Sequence, residues 1–224
     1  MDYGRPRVKK HVLVVSPHLD DAVYSAGQFL AGRPGAVVVT IFAGTPNPPQ
    51  KKSWDVSKCG FADSQQAMLA RKAEDGSALA VLNATPVHLD FLDNQYGRGG
   101  VDLRALANAI LEQAKRHRPE FVVGPLGLRH PDHVRVRKAV LAAELDVPLW
   151  LYGDLPYRIR KSSWLRAALD EISRHGYTLE PDDIGTGPPE LKREAAERYE
   201  SQTKLFDIDN TIMVPELFWR VTRQ

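Results

Sequence analysis

Apolar residues in this chain gather in short runs, separated by longer stretches in which they recur every third or fourth position. The runs HVLVV (11–15), AVVVTIFA (36–43), PVHLDFL (86–92), FVVGPL (121–126) and PLWLYGD (148–154) are rich in β-branched and aromatic residues and predict strands. Between them, DAVYSAGQFLAG (21–32), SQQAMLARKAEDGSALAVL (64–82), LRALANAILEQAKRH (103–117) and HVRVRKAVLAAEL (133–145) carry a helical period. Alternation of this kind predicts an α/β fold: a Rossmann-like, three-layer arrangement with a mostly parallel sheet and helices on both faces. The strands are almost continuously apolar, as a sheet covered on both sides requires.

Two segments interrupt the rhythm. Residues 44–63, GTPNPPQKKSWDVSKCGFAD, form a long Pro- and Lys-rich stretch that reads as a functional or mobile loop and carries Trp54 and Cys59. From about residue 177 the chain continues as YTLEPDDIGTGPPE, a helix over 191–206 and a closing PELFWRV. No repeat or interdomain linker is visible, so residues 1–224 read as one domain with a long loop and a C-terminal extension.

Composition narrows the function. With 43% hydrophobic and 26% charged residues the chain is globular rather than disordered. Thirty basic residues balance 28 acidic ones, for a net charge of +2, which argues against nucleic acid or an anionic membrane as partner. A single cysteine forbids an intramolecular disulfide and fits a reducing compartment. The polar, basic start MDYGRPRVKK and the short first apolar run lack a signal-peptide core, and no stretch has the length of a membrane span; the expected location is cytoplasmic.

In open α/β sheets ligands gather at the carboxyl ends of strands. The first predicted strand runs into SPHLDDAV, which sets His18, Asp20 and Asp21 at such an end. An Asp at a helix start has a plain role, capping free N–H groups for about 1 kcal/mol, but that accounts for only one of the two carboxylates. After FVVGPL the chain reads GLRHPDHVRVRKAV, placing His130, Asp132 and His133 within four residues. Pro131 suits a first helical turn and pushes His130 towards extended backbone, so His130 should precede a helix and His133 lie inside its first turn. Two strand ends then supply imidazoles and carboxylates to one edge of the sheet. That donor set suits Zn²⁺, with Fe²⁺ or Co²⁺ as alternatives. A remaining carboxylate could serve as general base in a hydrolysis. Spacing alone does not say which aspartate takes which role.

SPHLDD resembles the PHPDD signature of the PIG-L-like (LmbE-like) zinc deacetylases, and RHPDH resembles their HPDH motif. The resemblance extends through RKAEDGSALAVL, LDFLD, the stretch Tyr199–Gln202 and the closing PELFW. It implies that His18, Asp21 and His133 bind zinc and that Asp20 is the general base. His130, protonated, would stabilise the oxyanion, and Asp132 would orient a neighbouring histidine. Arg71 and Asp93 would contact the substrate, and Asp154 and Tyr157, which follow another predicted strand, are read as pocket residues beside them. The implied reaction removes an N-acyl group, most often acetyl, from an amino sugar or glycoconjugate. Two departures stand out: Leu19 replaces a proline and Ala22 replaces a glutamate of the family pattern. The competing readings are an amidase of non-sugar amides and a non-catalytic binding module. A Mg²⁺-dependent phosphoester hydrolase fits less well, because histidines flank the carboxylates and no phosphate-cradling glycine loop follows the first strand.

Overall fold

The computed structural model describes residues 11–97, 100–205 and 207–224. The basic N-terminal segment and Phe206, the last residue of the expected 191–206 helix, lie outside the described residues. The strands are β1 (Val12–Ser16), β2 (Val37–Thr40), β3 (Thr85–His88), β4 (Phe121–Pro125), β5 (Leu149–Tyr152), β6 (Tyr177–Pro181) and β7 (Phe218–Arg223). They form one seven-stranded sheet in the order β3-β2-β1-β4-β5-β7-β6. The first five run parallel, and β7 and β6 add antiparallel at one edge.

The helices are α1 (Asp21–Ala31), α2 (Ser64–Val81), α3 (Leu103–His117), α4 (Pro131–Ala142), α5 (Tyr157–Arg160), α6 (Ser162–Arg174), α7 (Pro189–Glu197), α8 (Glu200–Thr203) and α9 (Ile208–Thr211). Strand alternation distributes β1 between two cores. Val12 and Val14 pack with Phe29, Leu30, Leu79 and Tyr199 on one face. Leu13 and Val15 pack with Leu106, Ile110, Val136 and Val140 on the other. These four apolar side chains of β1 are buried, and burying each contributes roughly 1.5–3 kcal/mol relative to exposure. The expected three-layer, mostly parallel α/β architecture is the one observed.

Chain order reverses direction between β1 and β4: β2 and β3 extend the sheet one way, β4 and β5 the other. The carboxyl ends of β1 and β4 therefore flank the switch point, where α/β sheets open a crevice. Both histidine-bearing segments emerge there.

Several elements differ from the sequence expectation. β2 and β3 stop earlier than expected, and beyond them Phe42 and Asp90 keep only an isolated antiparallel bridge. There the two chains come so close that a side chain at Gly44 would lie 2.6 Å from the Asp90 carbonyl oxygen. β6, β7 and α6 were not among the expected elements. For α6 the signal exists, since Leu165, Ala168, Leu169 and Ile172 share one face and pack in a third core. The expected 191–206 helix is two pieces, α7 and α8. The long loop is not structureless: Trp54–Lys58 forms a π-helical turn, and Asp55 within it is fully buried.

Helix α1 is broken at Ala26, whose backbone (φ −141°, ψ 25°) is not helical. The N–H groups of Gln28 and Phe29 turn instead to the two carboxylate oxygens of Glu216, at 2.8 and 3.0 Å. Lys192 of α7 pairs with the same carboxylate at 2.9 Å, and neither side chain is exposed. A side chain at Gly27 would meet the Lys192 stem at 2.7 Å, so glycine lets α7 lie against the break.

Candidate active site

The turn after β1 is folded by its own polar groups. The Ser16 hydroxyl donates to the His18 carbonyl (2.7 Å) and accepts from the Ala22 N–H (3.0 Å). The His18 N–H donates to Asp21 Oδ2 at 2.9 Å. Asp20 occupies the N-cap position of α1, yet its side chain makes no capping hydrogen bond. Capping therefore does not explain the paired aspartates. Among the described residues the Asp20 carboxylate has no hydrogen-bond partner, and it faces a cleft of about 640 Å³.

After β4, Gly127 takes a left-handed backbone (φ +76°) and approaches α4 closely; a side chain there would lie 2.9 Å from the His133 carbonyl oxygen. His130 is the extended N-cap of α4, with its Nδ1 accepting from the Asp132 N–H at 3.3 Å. His133 lies in the first turn, as its spacing after Pro131 predicts.

The two segments meet at Asp21. Its Oδ2 lies 3.1 Å from His18 Nδ1 and 3.1 Å from His133 Nε2. Each ring turns its other nitrogen to a fully buried carboxylate: His18 Nε2 to Asp132 at 3.3 Å, His133 Nδ1 to Asp154 at 2.7 Å. Asp132 is fixed in turn by the Asn94 N–H (3.0 Å) and by Arg135 (3.0 Å). The His130 ring packs edge-on to His18, with centroids 5.0 Å apart.

Two donor groups here converge within 4.8 Å: His18, His130 and His133, and a second of His18, Asp93 and Asp132. Tetrahedral zinc with bonds of about 2.0–2.1 Å separates its ligand atoms by roughly 3.3 Å. The 3.1 Å spacings around Asp21 Oδ2 match that span, and the set is mixed N and O. His130 has its Nδ1 engaged by backbone, and Asp132 is committed to His18, Asn94 and Arg135. The residues present thus offer a mixed imidazole and carboxylate donor set that fits a divalent metal, with Asp21 Oδ2 lying between His18 and His133.

Electrostatics separate the two adjacent aspartates. Burial would raise the Asp21 carboxyl, but His133 and His18 more than reverse this and hold it well below the usual carboxylate range. Burial and the neighbouring Asp21 push Asp20 well above that range, against the opposing pull of His18, Arg71 and His133. Burial would lower His133, but Asp21 and Asp154 push it up to about 9. His130 goes the other way: burial, reinforced by His18 and His133, brings it to about 4. That value favours a neutral ring at neutral pH, where the resemblance implies an imidazolium. With Nδ1 accepting from backbone, the hydrogen of the neutral ring sits on Nε2.

The expected substrate residues divide. Arg71, Asp93 and Tyr157 line the cleft. Arg71 is not a surface charge: it is 7% exposed and held by Asp55 at 2.8 Å, which the Tyr96 hydroxyl also engages at 2.7 Å. Tyr157 stands edge-on to His133 at 5.2 Å between centroids. Asp93 lies 3.8 Å from His18 Nε2, its carboxylate braced by Gln95. Asp154 does not reach the cleft; it is fully buried behind His133, which corrects its assignment to a substrate wall. Cys59 is a packed thiol that accepts from Arg71 and Gln202. Trp54, from the long loop, lines the mouth of the cleft. The Asp55–Arg71 and Asp55–Tyr96 contacts were not foreseen, since an acid in a Lys-rich loop gives no sign of burial. Among the described residues no helix is long and apolar enough to cross a membrane.

Comparison with known proteins agrees with this geometry. Residues 13–144 match the family model PIG-L: GlcNAc-PI de-N-acetylase. The zinc-inhibited form of teicoplanin deacetylase is 28% identical with a TM-score of 0.81, over 96% of this chain and 98% of its own. A deacetylase–teicoplanin complex is 31% identical with a TM-score of 0.78, over 96% and 99%. A40926 pseudoaglycone deacetylase is 28% identical with a TM-score of 0.78, over 96% and 98%. N,N'-diacetylchitobiose deacetylase from Pyrococcus horikoshii, 18% identical with a TM-score of 0.56 over 89% and 72%, shares the fold. No curated protein matches the chain. Strand order, the paired motifs at the switch point and a family match over more than half the chain converge on one conclusion: the chain belongs to the PIG-L family of de-N-acetylases.

Proposed function

We propose that the protein is a zinc-dependent hydrolase that removes an N-acetyl group from an amino sugar within a glycoconjugate. One observation carries this reading. Asp21 Oδ2 is shared at 3.1 Å by one nitrogen each of His18 and His133, while the adjacent Asp20 carboxylate faces the same cleft without a partner among the described residues. The similar deacetylases named for teicoplanin and A40926 pseudoaglycone point to a sugar-bearing substrate.

Zinc held by His18, Asp21 and His133 would acidify water towards a pKa of about 7 and polarise the acyl carbonyl. Asp20, with its raised proton affinity, accepts a proton from the water that attacks the carbonyl carbon. His130, neutral with hydrogen on Nε2, donates to the carbonyl oxygen as negative charge gathers there. When the C–N bond breaks, Asp20 returns its proton to the departing nitrogen. Asp132 orients His18 through Nε2 and, through its own N–H, the His130 ring. Arg71, Asp93 and Tyr157 bound the space for the sugar. Fe²⁺ or Co²⁺ would satisfy the same donors.

The test is a panel of N-acetylated amino sugars, glycopeptides and non-sugar amides, incubated with the zinc-loaded protein and read for acetate and free amine by mass spectrometry. Amine release confined to sugar conjugates supports the reading. Release from non-sugar amides alone, or from none with zinc bound, overturns it.

A further inference from the structure

β4 and β5 run parallel with Pro125 opposite Tyr152. Two residues past each strand the backbone is therefore still side by side, and Asp154 lies against the turn at Gly127 and Leu128. Its Oδ2 accepts both of their N–H groups, at 2.8 and 3.3 Å. The next residue, Leu155, is tied to α1 by its N–H on the Ser25 hydroxyl at 3.0 Å. The carboxylate is thus oriented by main chain alone, and its remaining oxygen, Oδ1, is left for His133 Nδ1 at 2.7 Å.

An ionised carboxylate only accepts hydrogen bonds, so this contact requires hydrogen on Nδ1. Without a metal, Nε2 also carries a hydrogen towards the Asp21 carboxylate; with Nδ1 held by Asp154, the Nε2 hydrogen is the one a metal would displace. Asp132 does the analogous thing to His18, but its charge is shared with Arg135. Among the described residues Asp154 has no charged partner other than His133.

We propose that Asp154 is the positioning residue of the site: it fixes the tautomer of His133 and makes Nε2 the donor presented beside Asp21. The inference rests on the metal-dependent reading above.

Asp154→Asn separates this role from simple packing. Its amide oxygen can keep the Gly127 and Leu128 N–H bonds, while its NH₂ faces Nδ1. The ring is then forced to carry hydrogen on Nε2, where it blocks a metal. Zinc affinity, measured by competition against a chelator, should fall about 10–100-fold with the thermal midpoint held within a few degrees. A second measurement uses the unmodified, zinc-loaded protein: long-range ¹H–¹⁵N NMR should show His133 protonated at Nδ1 and metal-shifted at Nε2. Wild-type zinc affinity in Asp154→Asn, or a metal-shifted Nδ1 in the wild type, overturns the positioning role alone. A wild-type protein that binds no zinc overturns the metal reading, and this inference with it.

Discussion

Asp20 and Asp21 are adjacent in sequence but stand in opposite electrostatic surroundings. Asp21 is gripped by two imidazoles, whereas Asp20 has none within hydrogen-bonding reach and feels its neighbour's charge. Asp20→Asn should therefore keep the bound metal and lose about 10²–10⁴-fold in turnover, the range of a lost general base. Metal analysis alongside a deacetylation assay checks both halves. Turnover within a few-fold of wild type would remove Asp20 from the proton transfer.

His133 is the point where β4 contributes to the β1 cluster. Replacing it with alanine removes one of the three proposed donors and leaves Asp21 with His18 alone. Elemental analysis should find bound metal falling from about one ion per chain to background. Normal metal content in His133→Ala would move the ligand assignment to the other donors around His18.

In the proposed reaction His130 donates from a neutral ring. His130→Ala should retain metal and lower turnover about 10²–10³-fold, as removal of an oxyanion donor does. Because its proton is lost near pH 4, the rate should show no His130 titration between pH 6 and 8. A wild-type pH–rate limb in that interval that vanishes in the alanine variant would contradict the neutral-ring role.

Under the break in α1, Lys192 and Glu216 form a wholly buried ion pair. Lys192→Met leaves the Glu216 charge with two backbone N–H groups and only Arg158 as a neighbouring cation, at an expected cost of about 3 kcal/mol in chemical denaturation. Adding Glu216→Gln to that variant should recover part of the loss. A double variant no better than the single one would show that the pair is not coupled.

Glu171 on α6 lies 2.8 Å from the buried guanidinium of Arg137 on α4. Burial would raise its carboxyl, but Arg137 and Lys138 reverse that and hold it below the usual 4.5. A depressed carboxyl stabilises the fold above its unfolded value, and that contribution disappears as pH falls. Glu171→Gln should thus be less stable than wild type at pH 7 by up to about 1 kcal/mol, solvent screening the partly exposed carboxylate, with the gap closing below about pH 4.5. A gap independent of pH would indicate lost packing instead.

Much of this was legible in the sequence because the informative groups are local. The strand-forming runs marked β1, β2 and β4, and the His and Asp residues just past β1 and β4 announced a site. Pro131 placed His130 outside α4 and His133 inside it. What the sequence hid depends on which strands become neighbours. Asp154 reads as a substrate contact at a strand end until β5 lies beside β4, when it becomes a buried partner of His133. The break in α1 was equally hidden, since nothing near Ala26 shows that Glu216, nearly two hundred residues later, will satisfy Gln28 and Phe29. β6 and β7 escaped notice because their alternation is diluted by prolines and charged residues and they depend on the edge of β5 for pairing.

The reversal of strand order between β1 and β4 has a consequence for assembly of the protein. His18 and Asp21 belong to the first strand–helix unit, while His133 arrives more than a hundred residues later. A nascent chain carrying only the first three strands holds two of the three proposed donors and lacks His133. If the proposed donors hold a metal, its capture would be a late event that follows the docking of β4 on β1, and acquisition of metal would report the closing of the sheet's centre.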